Sequence, residues 1–202
     1  MWRTAMAAWV WTTITVLTIL ASGCHMTDSS GDDLGDYGHG TAAELGELLK
    51  RPDAEEVLAR RDAMAVAIGA ALSATVPGSQ WIPNGRGDQV SCGDFGSTRG
   101  RKYTSPAYQS PVPIAPDRWA AATAAVIEAA APFDYTDVRM RTERPTIGAP
   151  STLEILSNDG TDGRFWLGSD RYANFYIRTG CFLTAKAKQA ARDAAPPTSQ
   201  PK

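Results

Sequence analysis

Three cysteines carry most of the chemical potential of this chain, and their positions divide them. Cys24 directly follows a hydrophobic run that ends in Ala21-Ser22-Gly23, whereas Cys92 and Cys181 lie far downstream. A cysteine placed at once after small residues has the pattern of a bacterial lipobox. In that chemistry a diacylglyceryl group alkylates the thiol and the chain is cut before the cysteine. The usual motif has Leu three residues earlier; here Ala21 holds that place and Leu20 sits one position further out. With Cys24 lipidated, Cys92 and Cys181 remain as an even pair, which outside the cytoplasm can persist as a disulfide. Such a bridge would close a loop of roughly ninety residues and stabilise by about 4–5 kcal/mol in the chain-entropy model. Two unrelated buried thiols are the alternative.

Other chemistries find less support. The only histidines are His25 and His39, so the chain beyond them cannot build a Ser-His-Asp triad, a Cys-His pair or a His-ligated zinc site. No Ser-x-x-Lys or Gly-x-Ser-x-Gly pattern occurs. "GHGTAA", from Gly38, fits a loose dinucleotide pattern but lacks the buried strand that must precede it. "NDGTDG", Asn158 to Gly163, puts Gly160 and Ser169 where a calcium loop needs its third and twelfth ligands, so it reads as a hairpin turn. Arg86-Gly87-Asp88 matches an integrin-recognition tripeptide in a glycine-rich loop; it suggests, as a third reading, a secreted interaction factor with that loop at an exposed tip. Asp134, Asp137, Glu154 and Asp170 are candidates for paired-carboxylate hydrolysis, though they are scattered along the chain. Arg99, Arg101 and Lys102, with Arg139 and Arg141, form a candidate patch for phosphate head groups or acidic glycans; a solvated sheet face is the plainer reading. No catalytic residue, metal or cofactor is expected.

The elements that must position these residues follow from apolar spacing. "TAAE", Thr41 to Glu44, is a capping box that opens a short helix with Leu45, Leu48 and Leu49 on one side. A second helix begins after Pro52 and runs to about Thr75, with Val57, Met64, Ile68 and Leu72 at helical spacing. Arg60 and Arg61 on it face water or a carboxylate. Val76-Pro77-Gly78 ends it. "SQWIP" suits a short strand, and Asn84 to Thr104, rich in glycine, reads as loop. Tyr103 to Ile114 is extended, and its prolines place it at a sheet edge. A third helix spans Pro116 to Ala131 with Trp119, Ala122, Val126 and Ala130 as its buried stripe. Strands follow: Tyr135 to Thr142, with Val138 and Met140 on one face and Arg139 and Arg141 on the other; Thr152 to Leu156; "RFWLG"; and "YANFYIRTGCFL". In the last, Ala173, Phe175, Ile177 and Cys181 share one phase, so Cys181 should point inward.

The implied fold is α+β: two main helices plus a short N-terminal helix on one face of an antiparallel sheet, with one disulfide. The 202 residues, 43% hydrophobic and 21% charged, suit a single domain with appendages. Residues 1–23 read as a signal peptide, because a span wants ~20 strongly apolar residues and this run is shorter and diluted by threonines. Residues 24–40 read as a flexible acidic tether, 41–185 as the domain and 186–202 as a disordered tail. The net charge of -2 offers no electrostatic pull toward nucleic acid.

With these elements in place, the chain resembles the mycobacterial LppA-type lipoproteins. The helix "EEVLARRDAMAVAIGAALSATVPGSQW" (Glu55 to Trp81), Cys92, the third helix and "RTGCFL" (Arg178 to Leu183) follow in the same order. The likeness covers most of Arg51 to Thr184, and Ala21 is its main departure. It implies a lipid-anchored envelope protein with a cysteine pair, and it supplies no catalytic residues to carry over. The expected function is a non-enzymatic binding or accessory module at the outer face of the plasma membrane. It would meet the membrane through its lipid and take an envelope protein, glycan or lipid as partner. The alternative is an envelope hydrolase using paired carboxylates.

Overall fold

The computed structural model describes residues 42–92, 95, 98–146 and 149–194. Cys24, the leader, the tether and Thr41 of the capping box lie outside the described residues.

Helix α1 (Ala42–Lys50) buries Leu48, with Leu45 and Leu49 beside it. Helix α2 (Ala54–Thr75) buries Met64, Ala65, Ile68 and Leu72 on one stripe, and Gly78 at φ 79° turns the chain after it. Helix α3 (Pro116–Ala130) starts on proline, whose missing N–H costs nothing in a first turn. Its expected stripe of Trp119, Ala122, Val126 and Ala130 is fully inward. A 3-10 turn (Ala131–Phe133) then ends in Asp134, left-handed at φ 68°.

Eight strands form one antiparallel sheet: β1 (Ile82–Asn84), β2 (Asp88–Ser91), β3 (Arg101–Thr104), β4 (Ala107–Ser110), β5 (Tyr135–Arg141), β6 (Ser151–Ser157), β7 (Arg164–Ser169) and β8 (Ala173–Arg178). Their order is β1-β4-β8-β7-β6-β5, with β3 joining β8 at Arg178 and β2 pairing β3. Helices α2 and α3 cover one face. There Leu153, Ile155, Phe165, Leu167, Phe175 and Ile177 meet the helix stripes in one core. A smaller cluster, Leu48, Cys92, Cys181 and Leu183, lies apart from it. The α+β architecture and the Cys92–Cys181 disulfide, with a Cα–Cα distance of 5.9 Å, are those expected.

Several expectations are corrected. The stretch read as loop contains β2 and β3, a hairpin whose residues are mostly exposed and so show no apolar alternation. Strand β4 is not at an edge, because β1 and β8 flank it. Pro106 falls in the bend between β3 and β4, where Ser105 donates its N–H to Ile177 O and accepts the Ile177 N–H on its hydroxyl. Strand β5 carries register shifts at both Tyr135/Asp137 and Val138/Met140. The second puts Val138 opposite Ile155 and Arg141 opposite Leu153, so Val138 and Met140 do not share a face. Strand β8 ends at Arg178; Cys181 is buried by the bridge that Phe182 makes to Arg101, not by strand phase.

Part of the expected tail is ordered as helix α4 (Ala185–Asp193). Thr184 caps it by accepting from the Ala187 N–H, and Glu55 accepts from the Ala185 N–H. Lys188, 4% exposed, pairs with Asp53 at 2.7 Å and donates to Arg51 O. Only alanines and the lysine stem face inward, so no apolar stripe announced the helix.

Candidate functional site

A groove of about 420 Å³ opens between the α1–α2 side of the domain and the sheet ends. Its rim carries Lys50, Arg51, Arg60 and Arg61 together with the carboxylates Glu47 and Glu56, of which Glu47 lies 3.8 Å from Lys50 and 4.0 Å from Arg51. Its floor is apolar: Val57 and Met64 from α2, Phe133 from the 3-10 turn, and Phe182. The Asp159–Thr161 turn and Thr179-Gly180 close the far side. The volume lies in the range of small-molecule sites.

Helical spacing positions the cations. Arg60 and Arg61 stand one turn N-terminal to Met64, whose side chain goes to the core, so they are left at the rim. Arg60 donates to Asp134 Oδ2 at 2.6 Å and to Pro132 O, and the left-handed turn at Asp134 presents that carboxylate. Arg61 makes a two-nitrogen contact with Asp62 Oδ1 at 2.9 and 2.7 Å. Arg51 donates to Cys181 O at 3.0 Å and lies over the Phe95 ring at 4.8 Å, which ties the rim to the disulfide cluster.

The far wall depends on a close approach. A Cβ on Gly180 would collide with Thr161 O, so only glycine lets this segment lie against the β6–β7 turn. Asp159 Oδ1 accepts from Thr161 N and Oγ1, which fixes that turn. At the base, Tyr135 donates its hydroxyl to Arg178 O at 3.1 Å. Burial, and next the Asp159 carboxylate, push this phenol well above its ordinary range, against Arg60 and Arg61. It is therefore a neutral donor at physiological pH. The arrangement can hold a molecule with an anionic end and an apolar body.

The expected site residues are dispersed. Cys92 and Cys181 are joined, and Cys24 lies outside the described residues. The five cations of the expected patch do not form one surface: Arg99, Arg101 and Lys102 belong to the β2–β3 hairpin, while Arg139 and Arg141 are on β5, beyond β8, β7 and β6. Lys102 pairs with Asp162 at 3.7 Å, Arg139 with Asp137 at 2.9 Å and Arg141 with Glu143 at 3.1 Å. The four candidate carboxylates sit on different elements: Asp134 beside α2, Asp137 on β5 opposite Leu156, Glu154 two positions along on neighbouring β6 and against Arg164, and Asp170 in the β7–β8 turn. Arg86-Gly87-Asp88 is exposed, but Asp88 is already paired in β2 with Thr104. Among the described residues no group of His, Cys, Asp and Glu could hold a metal, and no helix is long and apolar enough to cross a membrane. Sequence reasoning missed Lys50, Arg51, Tyr135 and Gly180 as groove residues; the doubled Arg60-Arg61 was the one visible signal.

Fold and groove together define a small disulfide-linked α+β domain with a cation-rimmed cleft. The family model of LppA, a lipoprotein confined to pathogenic Mycobacterium, matches residues 35–185, and the chain belongs to that family. Among solved structures, the lipoprotein LppA from Mycobacterium tuberculosis is similar at TM-score 0.59 and 18% identity, over 78% of this chain and 91% of that one. A DUF4853 family protein from Actinomyces odontolyticus gives TM-score 0.49 and 16% identity, over 67% of this chain and 72% of that one. No curated protein matches the sequence.

Proposed function

We propose that this LppA-family chain is a lipid-anchored envelope lipoprotein whose groove binds an amphiphile with an anionic head group and performs no chemistry on it. Attachment is through Cys24, at the outer face of the plasma membrane. Lipidation gives stable attachment only when more than one acyl chain is present, as in a mature lipoprotein.

The observation that carries the binding reading is a groove of about 420 Å³ whose four cations outnumber its carboxylates Glu47, Glu56 and Asp159 and stand above a floor of Val57, Met64, Phe133 and Phe182. Charge-assisted bonds to guanidinium groups orient an anion, and the floor supplies apolar area. Binding without hydrolysis is supported by the absence of histidine beyond His39 and by carboxylates that face arginines rather than one another.

The test is titration of the full-length protein in detergent with dodecyl phosphate and with dodecanol. Dodecyl phosphate is expected to bind at least tenfold tighter than dodecanol, and Arg61→Gln to remove most of that difference. Equal affinity for the two, or no binding of either, overturns the groove assignment. Lipidation is tested separately: a Cys24→Ser variant with wild-type mass and wild-type membrane partitioning refutes it.

A further inference from the structure

The sheet face turned away from α2 and α3 is polar and aromatic. Trp166 on β7 and Tyr176 on β8 are cross-strand partners, and their rings lie 5.5 Å apart at 23° to each other. Gly168 is where the benzo ring of Trp166 rests, since a Cβ there would collide with its Cη2. At that separation and angle the two rings are stacked on each other with an offset, near parallel. Tyr176 is 37% exposed.

Two register positions further along, on the same face, Arg164 and Arg178 are also direct cross-strand partners. Like charges placed opposite each other destabilise a strand pair, so their juxtaposition calls for a compensating anion. Arg164 has Glu154 at 3.3 Å, whereas Arg178 has no ion pair among the described residues. The Nε atoms of both arginines are buried with no hydrogen-bond partner there, a cost of the kind that native structures reserve for a site. On the other side of the aromatic pair, Asn174 and Gln109 are cross-strand partners and add an amide-bearing edge.

Aromatic rings, amides and guanidinium groups thus occur in sequence across a flat sheet face. We infer that this face binds an acidic glycan. A sugar ring stacks on Trp166 and Tyr176, its hydroxyls meet Asn174 and Gln109, and a carboxylate or phosphate on the chain is received between Arg164 and Arg178. Their order along β7 and β8 suits an extended polymer lying along the strands, and none of these side chains lines the groove.

The experiment uses the full-length protein in detergent and four probes: oligogalacturonate, its fully methyl-esterified form, a phosphomannan fragment, and inorganic phosphate alone. At least one acidic oligosaccharide is expected to bind, and to bind tenfold or more tighter than inorganic phosphate; oligogalacturonate against phosphomannan then separates carboxylate from phosphate. If oligogalacturonate is the ligand, its ester is expected to bind at least tenfold more weakly. Arg178→Gln, with unchanged circular dichroism, is expected to weaken the acidic chain about tenfold, and Trp166→Phe to weaken it severalfold without loss of fold. Arg61→Gln, which lies in the groove, leaves this binding unchanged, so failure of the groove reading and failure of this one are distinguishable. Failure of both acidic polymers to bind, equal binding of the ester, wild-type affinity in Arg178→Gln, or a dimer that Trp166→Phe converts to monomer overturns the inference.

Discussion

Breaking the Cys92–Cys181 bridge should remove a large share of the stability of this domain. The two residues are 89 apart in sequence, and closing a loop of that length in the unfolded chain is worth about 4.6 kcal/mol at 25 °C in the chain-entropy model. Both cysteines are buried, at 1% and 0% exposure, so replacing them with alanine also loses sulfur packing, about 1 kcal/mol at each site. The Cys92→Ala/Cys181→Ala variant is therefore expected to be about 6–7 kcal/mol less stable, against total stabilities of about 5–15 kcal/mol for such domains. In urea, with a slope of about 2 kcal/mol per molar, the midpoint should fall by roughly 3 M, and the slope itself should rise because the unlinked chain unfolds to a more open ensemble. Unfolding followed by far-ultraviolet circular dichroism measures both. Hydrogen exchange adds a local readout: because the bridge sits with Leu48 and Leu183, amides of α1 and the β2–β3 hairpin should lose protection before those of β6 and β7. A loss below about 1 kcal/mol with an unchanged slope would refute the chain-entropy reasoning for this loop.

Burial raises the Tyr135 phenol above its ordinary value of 10.0, so the unfolded chain ionises first; the contribution is intact below that pH and is lost as pH rises beyond it. Tyr103 and Tyr108 are raised as well, again mainly by burial, so Tyr135→Phe should make alkaline destabilisation shallower without abolishing it; an unchanged slope above pH 10 in urea midpoints counts against this. At neutral pH the same variant should cost about 1 kcal/mol for the lost bond to Arg178 O. Gly180→Ala forces the β6–β7 turn off the groove wall and should cost about 1–3 kcal/mol, with dodecyl phosphate binding weakened; a wild-type melting curve and affinity would show that the close approach is dispensable. Lys188→Met keeps the stem and removes the charge, and because Asp53 is 42% exposed the cost should be about 1–2 kcal/mol, read as early exchange of α4 amides. Glu154→Gln releases Arg164 from its ion pair and should tighten binding of the acidic oligosaccharide; weaker binding would mean that Glu154 itself contacts the ligand.

The elements whose apolar residues all face one core were legible. The α3 stripe of Trp119, Ala122, Val126 and Ala130 and the alternation of β6, β7 and β8 match the burial because each packs on one side only. Elements lacking that asymmetry were hidden. Strand β2 exposes all four of its residues, and α4 buries a lysine and alanines. In β5 the first register shift flips the face of Asp137 and Val138 and the second flips the alternation back, a change that no alternation rule anticipates. The groove was invisible for a different reason: its walls come from chain segments near Lys50, Arg60, Tyr135, Thr161 and Gly180, which only the fold brings together. The Arg164–Arg178 pair likewise depends on strand register, since the two residues lie fourteen positions apart in sequence and become partners only through the β7–β8 pairing.

Charge placement ties these surfaces to one mode of action. A carboxylate hydrolase needs two acids facing the same bond, about 5–9 Å apart, in environments that differ. Here Asp134 faces Arg60 at 2.6 Å, Asp137 faces Arg139 at 2.9 Å and Glu154 faces Arg164 at 3.3 Å, so each acid is held by a guanidinium rather than paired with another acid. Among the described residues, Arg51, Arg60 and Arg61 of the groove and Arg164 of the sheet face each have a carboxylate within 4.0 Å, whereas Arg178 has no ion pair. An incoming anion must then compete with a resident one, which limits affinity but favours ligands that bring a second kind of contact. In the groove that contact is the floor of Val57, Met64 and Phe133; on the sheet it is the Trp166–Tyr176 pair. Simple anions bring neither, so under the proposed binding roles both surfaces are expected to discriminate against them in favour of molecules that join charge to apolar or ring structure.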